Sequence, residues 1–208
     1  MKIPVFASLI LFCIWLSFSI VRSRRKGERA ERDFWEREAQ ADRTRKQPLD
    51  QLAYIEIPYD TLPFALIPDD PIISAAVTDC HRILNGFRTK KAVNLTGISN
   101  TDLKLTYGAP NITILMEYDE NYTLLVRTMQ KWADLLLKAG FEQEAVSIME
   151  FCIETHTDIS ATYRTLARIY RERGEEAQLQ HLRETADGLL SIMRQPILRL
   201  LDEAEQGE

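Results

Sequence analysis

Cysteine is scarce in this chain and badly placed for cross-linking. Three occur in 208 residues, at Cys13, Cys80 and Cys152. Cys13 lies in an apolar run and the other two fall on apolar helix faces, which excludes a disulfide framework and any Cys-x-x-Cys zinc spacing and fits a reducing compartment. Histidine is equally sparse: His81, His156 and His181 make no His-x-x-x-His or His-Glu-x-x-His pattern. Cys80 and His81 are adjacent, so on a helix they point about 100° apart, which predicts Cys80 in the core and His81 on the surface. The eight glycines form no phosphate loop, and no Gly-x-Ser-x-Gly is present. Carboxylates are many but unpatterned. No catalytic constellation, metal site or cofactor site follows, and the chain reads as a non-enzyme.

Positive charge runs short after residue 47. Residues 48–208 hold fifteen Arg/Lys against twenty-five Asp/Glu, whereas residues 22–47 hold ten against six. The large acidic part is repelled by nucleic acid and by anionic lipid alike, so nucleic-acid binding is not expected. The basic strip, in contrast, suits an anionic membrane leaflet.

What the chain does have is one long uncharged run, IPVFASLILFCIWLSFSIV, at residues 3–21. As a helix its 19 residues span roughly 28 Å, close to a hydrocarbon core of about 30 Å. Arg22, Arg24, Arg25 and Lys26 follow directly. A cleaved secretory signal places its basic residues before the apolar run and a small-x-small site after it; here only Lys2 precedes the run and no Ala-x-Ala-like site follows it. The reading is a single-pass transmembrane anchor at residues 1–21. The basic flank predicts the amino terminus outside and residues 22–208 on the cytoplasmic face of the cell membrane. An anchored extracytoplasmic module is the alternative, and three Asn-x-Thr sequons, at Asn94, Asn111 and Asn121, bear on it. Asn and Thr are also ordinary turn and cap residues, and that structural reading is preferred.

Beyond the anchor, residues 22–47 read as a charged juxtamembrane helix. Glu28 with Arg32 and Asp33 with Arg37 sit at i,i+4, and no sustained heptad appears, though self-association through this helix and the anchor remains open. Residues 48–70 carry four of the eight prolines and Pro71 follows at once, yet the segment is rich in large apolar residues. It should lie extended on the domain, burying Ile55, Ile57, Leu62, Phe64 and Leu66. Asp70 followed by Pro71 is a helix start, and the apolar spacing from Ile73 to Phe87 predicts a helix over 71–87. The turn-rich piece from Asn94 to Gly108 holds a short helix started by Ser99 or Asn100. Its length leaves room for a functional loop.

From Asn111 onward the pattern is helix upon helix. YTLLVRTMQKWADLLLKAGFEQEAVSIMEFCI and HTDISATYRTLARIYRERGEEAQLQHLRETAD align at a shift of 34, matching Ala133 to Ala167 and Gly140 to Gly174. Small residues let helices approach and glycine permits a left-handed turn between them. Over residues 121–188 this resembles the tetratricopeptide repeat family, whose period is 34. The aromatic near the end of the first helix is met by Leu136 and Tyr170. The small residue after the turn is Ala145 in one unit but Leu179 in the other; the later one is Cys152 and then Ala186. Thr157 stands where the family has proline. The expected fold is all-α: an N-terminal transmembrane helix, then a helical-hairpin array over 71–208. Pro196 should interrupt a terminal capping helix in which Leu189, Leu190, Met193, Ile197, Leu200 and Leu201 cover the last layer.

The resemblance implies a concave peptide-binding face lined by first helices. It comprises Arg127, Gln130, Asp134 and Lys138 in the first unit and Ala161, Arg164, Arg168 and Arg171 in the second. Arg164, Arg168 and Arg171 share one helix face by spacing alone. Such a stripe attracts an acidic peptide or a terminal carboxylate, unless the chain's own acidic tail (Asp202, Glu203, Glu205, Glu208) or its proline-rich segment fills it. The expected function is a membrane-tethered scaffold or adaptor that recruits a protein partner. The alternative is a regulatory or catalytic subunit of a membrane-associated enzyme using the 94–108 loop.

Overall fold

The computed structural model describes residues 3–206, with side chains described from residue 10 to residue 203. Among the described residues the regular structure is helical, with eight α-helices, two short 3-10 turns and a lone antiparallel bridge between Tyr54 and Val93. The chain forms two compact units, Met1–Gln47 with Asn100–Ile112, and Pro48–Ser99 with Thr113–Glu208.

The smaller unit is built on α1 (Ile3–Arg43) and α3 (Asn100–Tyr107). The apolar run and the charged strip are thus one continuous helix. Helix α3 docks on its last turns through polar contacts. Lys104 Nζ donates to Glu38 and, at 2.8 Å, to Asp42 Oδ1; Thr101 Oγ1 donates to Glu38 Oε2 at 2.6 Å; Arg37 pairs with Asp102. The Lys104 ammonium and the Thr101 hydroxyl hold the Glu38 carboxyl below its usual range. Ala41 and Leu103 are the apolar residues buried here. Asn111 closes the unit by donating its amide to the Gln47 and Tyr107 carbonyls, each at 2.7 Å.

Among the described residues no helix is long and apolar enough to cross a membrane. The described apolar side chains of α1 cover residues 10–21, about 18 Å of helix. The first part of the expected span, residues 1–9, lies outside the described side chains. The described stretch alone therefore does not support the anticipated spanning helix.

The larger unit starts with the proline-rich segment, which lies extended on the core as its composition demands. Leu62 is buried, and Ile55, Ile57, Phe64 and Leu66 pack half-buried against the core cluster. Ile55 N donates to Ala92 O at 3.0 Å and Tyr59 Oη to Leu84 O at 2.7 Å. Helix α2 (Pro71–Asn85) begins as the sequence predicts: Asp70 Oδ1 accepts from Ile72 N and Ile73 N at 2.8 and 2.9 Å. The α-helix ends two residues before the expected residue 87, and a 3-10 turn, Gly86–Thr89, continues from it. His81 overturns its expected surface position. It is buried with Cys80, its ring 4.7 Å from Trp132 and 5.1 Å from Phe64. The extended segment supplies Phe64, and that cover is what a periodicity count along α2 leaves out.

Helices α4 (Ile112–Lys138), α5 (Glu142–Glu154), α6 (Ser160–Arg173), α7 (Glu176–Asp187) and α8 (Arg194–Gln206) complete the unit. Their bounds recur at 34 residues: α5 starts at 142 and α7 at 176, α6 at 160 and α8 at 194. The turn bonds recur as well. Phe141 N donates to Leu136 O and Gly140 N to Leu137 O; Glu175 N donates to Tyr170 O and Gly174 N to Arg171 O. Each pair is a Schellman arrangement closed by a left-handed glycine, with φ of 85° at Gly140 and 71° at Gly174. Core positions follow the same register. Met129, Tyr163 and Ile197 are buried, as are Ala133, Ala167 and Leu201. Helix α8 packs on α6 and α7, with Arg183 paired to Asp202 and Arg194 Nη2 2.6 Å from Asp187 Oδ1. Of the expected cap residues, Leu189, Ile197 and Leu201 are buried and Met193 and Leu200 half-buried, while Leu190 is 73% exposed. Pro196 sits in the first turn of α8, where its missing N–H costs nothing; the helical break falls just before it.

Candidate binding surfaces

Two surfaces of the larger unit collect side chains able to bind. The first is the face of α4 and α6 anticipated from the sequence. Arg127 and Lys138 on α4, and Ala161, Arg164, Arg168 and Arg171 on α6, are exposed. Gln130 is not: it is 7% exposed, its Nε2 donates to Asp134 Oδ1 at 2.8 Å, and its Oε1 accepts from the buried Thr162 hydroxyl. The residue expected to meet a ligand is instead buried and ties the two first helices together. Arg168 Nη1 lies 3.0 Å from both oxygens of Glu172. Ion pairs this exposed contribute about 0–1 kcal/mol, so a ligand carboxylate exchanges with Glu172 at little cost. Of the acidic tail, the Asp202 and Glu203 side chains are described. Asp202 pairs with Arg183 on α7; Glu208 and the Glu205 side chain lie outside the described residues.

The second surface was not legible as a site. A cleft of about 530 Å³ opens between four segments: residues 53–56 of the extended piece, the loop at 94–98, the end of α5 with its following turn, and the turn at 188–191. The 94–108 stretch named by the alternative enzyme reading is divided. Asn94, Thr96 and Ile98 line this cleft, whereas Asn100–Tyr107 is α3 of the other unit. Local bonding fixes the walls. Asn94 Nδ2 donates to Thr155 O at 3.0 Å, His156 O at 3.1 Å and Tyr122 Oη at 3.0 Å, and Tyr122 Oη donates to Thr155 O at 3.1 Å. These bonds satisfy carbonyls that the end of α5 leaves open. His156 takes a left-handed φ of 57°, closing α5 with His156 N to Ile153 O and Thr157 N to Cys152 O. The Schellman form that glycine supplies at residues 140 and 174 is here imposed on a histidine, and its exposed ring lines the cleft.

The three sequon asparagines all have structural roles. Besides Asn94 and Asn111, Asn121 Nδ2 donates to Lys91 O at 2.9 Å. The nitrogen a glycan would need is engaged with backbone at each of them.

The remaining buried groups are poised for stability rather than reaction. Burial pushes the Cys152 thiol up to about 12 and raises Cys80 too, so both stay protonated and unreactive. Burial lowers His81. Among the described residues, no cluster of three or more His, Cys, Asp or Glu side chains is placed to hold a metal ion. No protein family, curated protein or solved structure matches the chain.

Proposed function

We propose that the chain is a membrane-tethered helical interaction module. In this reading α1 anchors it, and the arginine face of α6 with its α4 neighbours holds an acidic segment of a partner protein at the cytoplasmic surface. The start of α1 is the observation that carries the proposal. Ile10, Leu11, Phe12, Ile14, Trp15 and Leu16 are all exposed, as are the apolar residues on to Val21, in every direction around the helix. An all-round apolar helix needs a cover, and by sequence the run extends back to Ile3, with four cations after Val21. That pattern suits a bilayer with the basic flank inside.

The 34-residue recurrence of helix bounds and turn bonds supports the tetratricopeptide-like reading of the larger unit, and with it a peptide-holding face on the first helices. Arg164 and Arg168, one turn apart and exposed, provide two guanidinium forks for carboxylates.

The two halves of the proposal are tested separately. Full-length chain in intact cells is treated with protease from outside; the carboxyl-terminal part should survive until the membrane is opened, and early digestion would refute the orientation. For the binding half, Arg164→Glu with Arg168→Glu should remove partners that crosslink to the native chain in cells. An unchanged set of crosslinked partners would refute the arginine face while leaving the anchor standing.

A further inference from the structure

The cleft beside α5 has the opposite electrostatic character from the arginine face. Its lining contains Glu56, Glu154 and His156 and no lysine or arginine. Asp158, hydrogen-bonded to the lining Ser191, adds a further carboxylate at its edge. Lys91 Nζ lies 4.4 Å from the centre of the lining Tyr54 ring, and Lys91 itself does not line the cleft. Two apolar lining residues are open to solvent, Leu190 at 73% exposed and Ile98 at 39%, and Ile192, next in the chain after the lining Ser191, is 93% exposed. A leucine and an isoleucine this exposed on one short turn are not needed by the core, which takes Leu189 from the same turn and buries it.

The cleft is also preformed. Asn94 ties the 94–98 loop to the end of α5, Ser191 ties the 188–191 turn to Asp158, and Gly97 sits so close to Leu190 that a β-carbon would come 2.5 Å from the Leu190 oxygen. Its volume of about 530 Å³ falls within the roughly 300–1,000 Å³ of ligand-holding clefts.

We infer that this cleft docks a short partner segment in which lysine or arginine stands next to a large apolar residue. The cation lies between Glu56 and Glu154, and the apolar side chain covers Leu190 and Ile192. Complementarity of charge selects the cation, and the exposed apolar turn favours a peptide over a small amine, which would leave Leu190 and Ile192 uncovered. The inference is independent of the acidic partner assigned to α6; the two sites carry opposite charge and share no residue.

Panning a random 12-residue peptide display library against the immobilised full-length chain tests it. The retained peptides should carry Lys or Arg beside Leu, Ile, Phe or Trp. A synthetic consensus peptide should bind at least ten-fold more weakly to Glu56→Lys with Glu154→Lys, whose side chains are exposed and tolerate change. Leu190→Ser with Ile192→Ser, a second variant at exposed positions, should weaken it by a similar factor. Arg164→Glu with Arg168→Glu should leave it unchanged. Retention of no peptide, an acidic or uncharged consensus, or unaltered binding to the Glu56/Glu154 variant would each overturn the proposal. If binding is lost only in the Arg164/Arg168 variant, the arginine face is the site and the cleft is not.

Discussion

Gly97 and Gly140 share a left-handed backbone, with φ of 84° and 85°, but not their surroundings. At Gly140 a β-carbon meets nothing within 4 Å; at Gly97 it collides with the backbone of Leu190. Gly140→Ala should therefore cost only the left-handed penalty, about 1–2 kcal/mol. Gly97→Ala should lower the unfolding free energy by more than that in urea denaturation, because the three colliding atoms, Leu190 O, Cβ and C, are none of them the flexible end of a side chain. Equal losses would mean the 94–98 loop does not press on the 188–191 turn. His81 gives a pH signature at the same scale. Its Nε2 is buried without a hydrogen-bond partner among the described residues, and burial keeps its folded pKa below the unfolded value of about 6.5. The unfolded chain thus binds a proton that the folded chain refuses. The stability associated with neutral His81 is complete above pH 6.5 and is lost as pH falls from there toward the folded pKa. Urea midpoints between pH 7.5 and 5 should fall for the native chain and flatten in His81→Phe; an unchanged slope would remove His81 from the account.

At the level of helices, Gln130 and Thr162 form the polar link between α4 and α6 inside an apolar stack. Thr162→Val keeps shape but leaves Gln130 Oε1 buried and unsatisfied, a loss of about 1–3 kcal/mol. Adding Gln130→Leu should recover part of that loss, and a double-mutant cycle on thermal or urea unfolding reads the coupling directly. Simple additivity would mean the pair is not coupled. This link also marks the limit of what the sequence disclosed. Helix starts, the Asp70 cap, the two glycine turns and the 34-residue register were legible because they depend on local rules: capping atoms, left-handed backbone and apolar spacing. The fate of Gln130 was not. The register aligns it with Arg164, yet Gln130 is buried and Arg164 exposed, since burial depends on which residue the neighbouring helix presents, here Thr162. The arginine stripe follows from α6's own spacing, and Arg164, Arg168 and Arg171 are each exposed. The cleft needed four segments far apart in sequence to converge, and only the glycine-bearing turn at 94–98 hinted at one of them.

Over the whole chain, charge and hydropathy are segregated along its length, and that ordering places the strongest demand on the environment. The apolar stretch exposes every described large side chain from Ile10 to Val21, while residues 48–208 carry a net charge of −10. The described side chains of this stretch need a cover, which a bilayer or another copy can provide. The two covers respond differently to a charge placed in the middle. In a bilayer, arginine at a helix centre costs about 2.5–3.5 kcal/mol, so Ile14→Arg with Leu16→Arg should move the full-length chain from the carbonate-resistant membrane fraction to the soluble fraction. The helical content of the larger unit should be unaltered, because neither residue belongs to it. If the native chain instead sediments as a defined oligomer without lipid, and the double substitution yields a monomer, the apolar stretch is an assembly surface and the tether is wrong. Fractionation of native and substituted chains, each followed by circular dichroism and sedimentation velocity, separates these outcomes in one series.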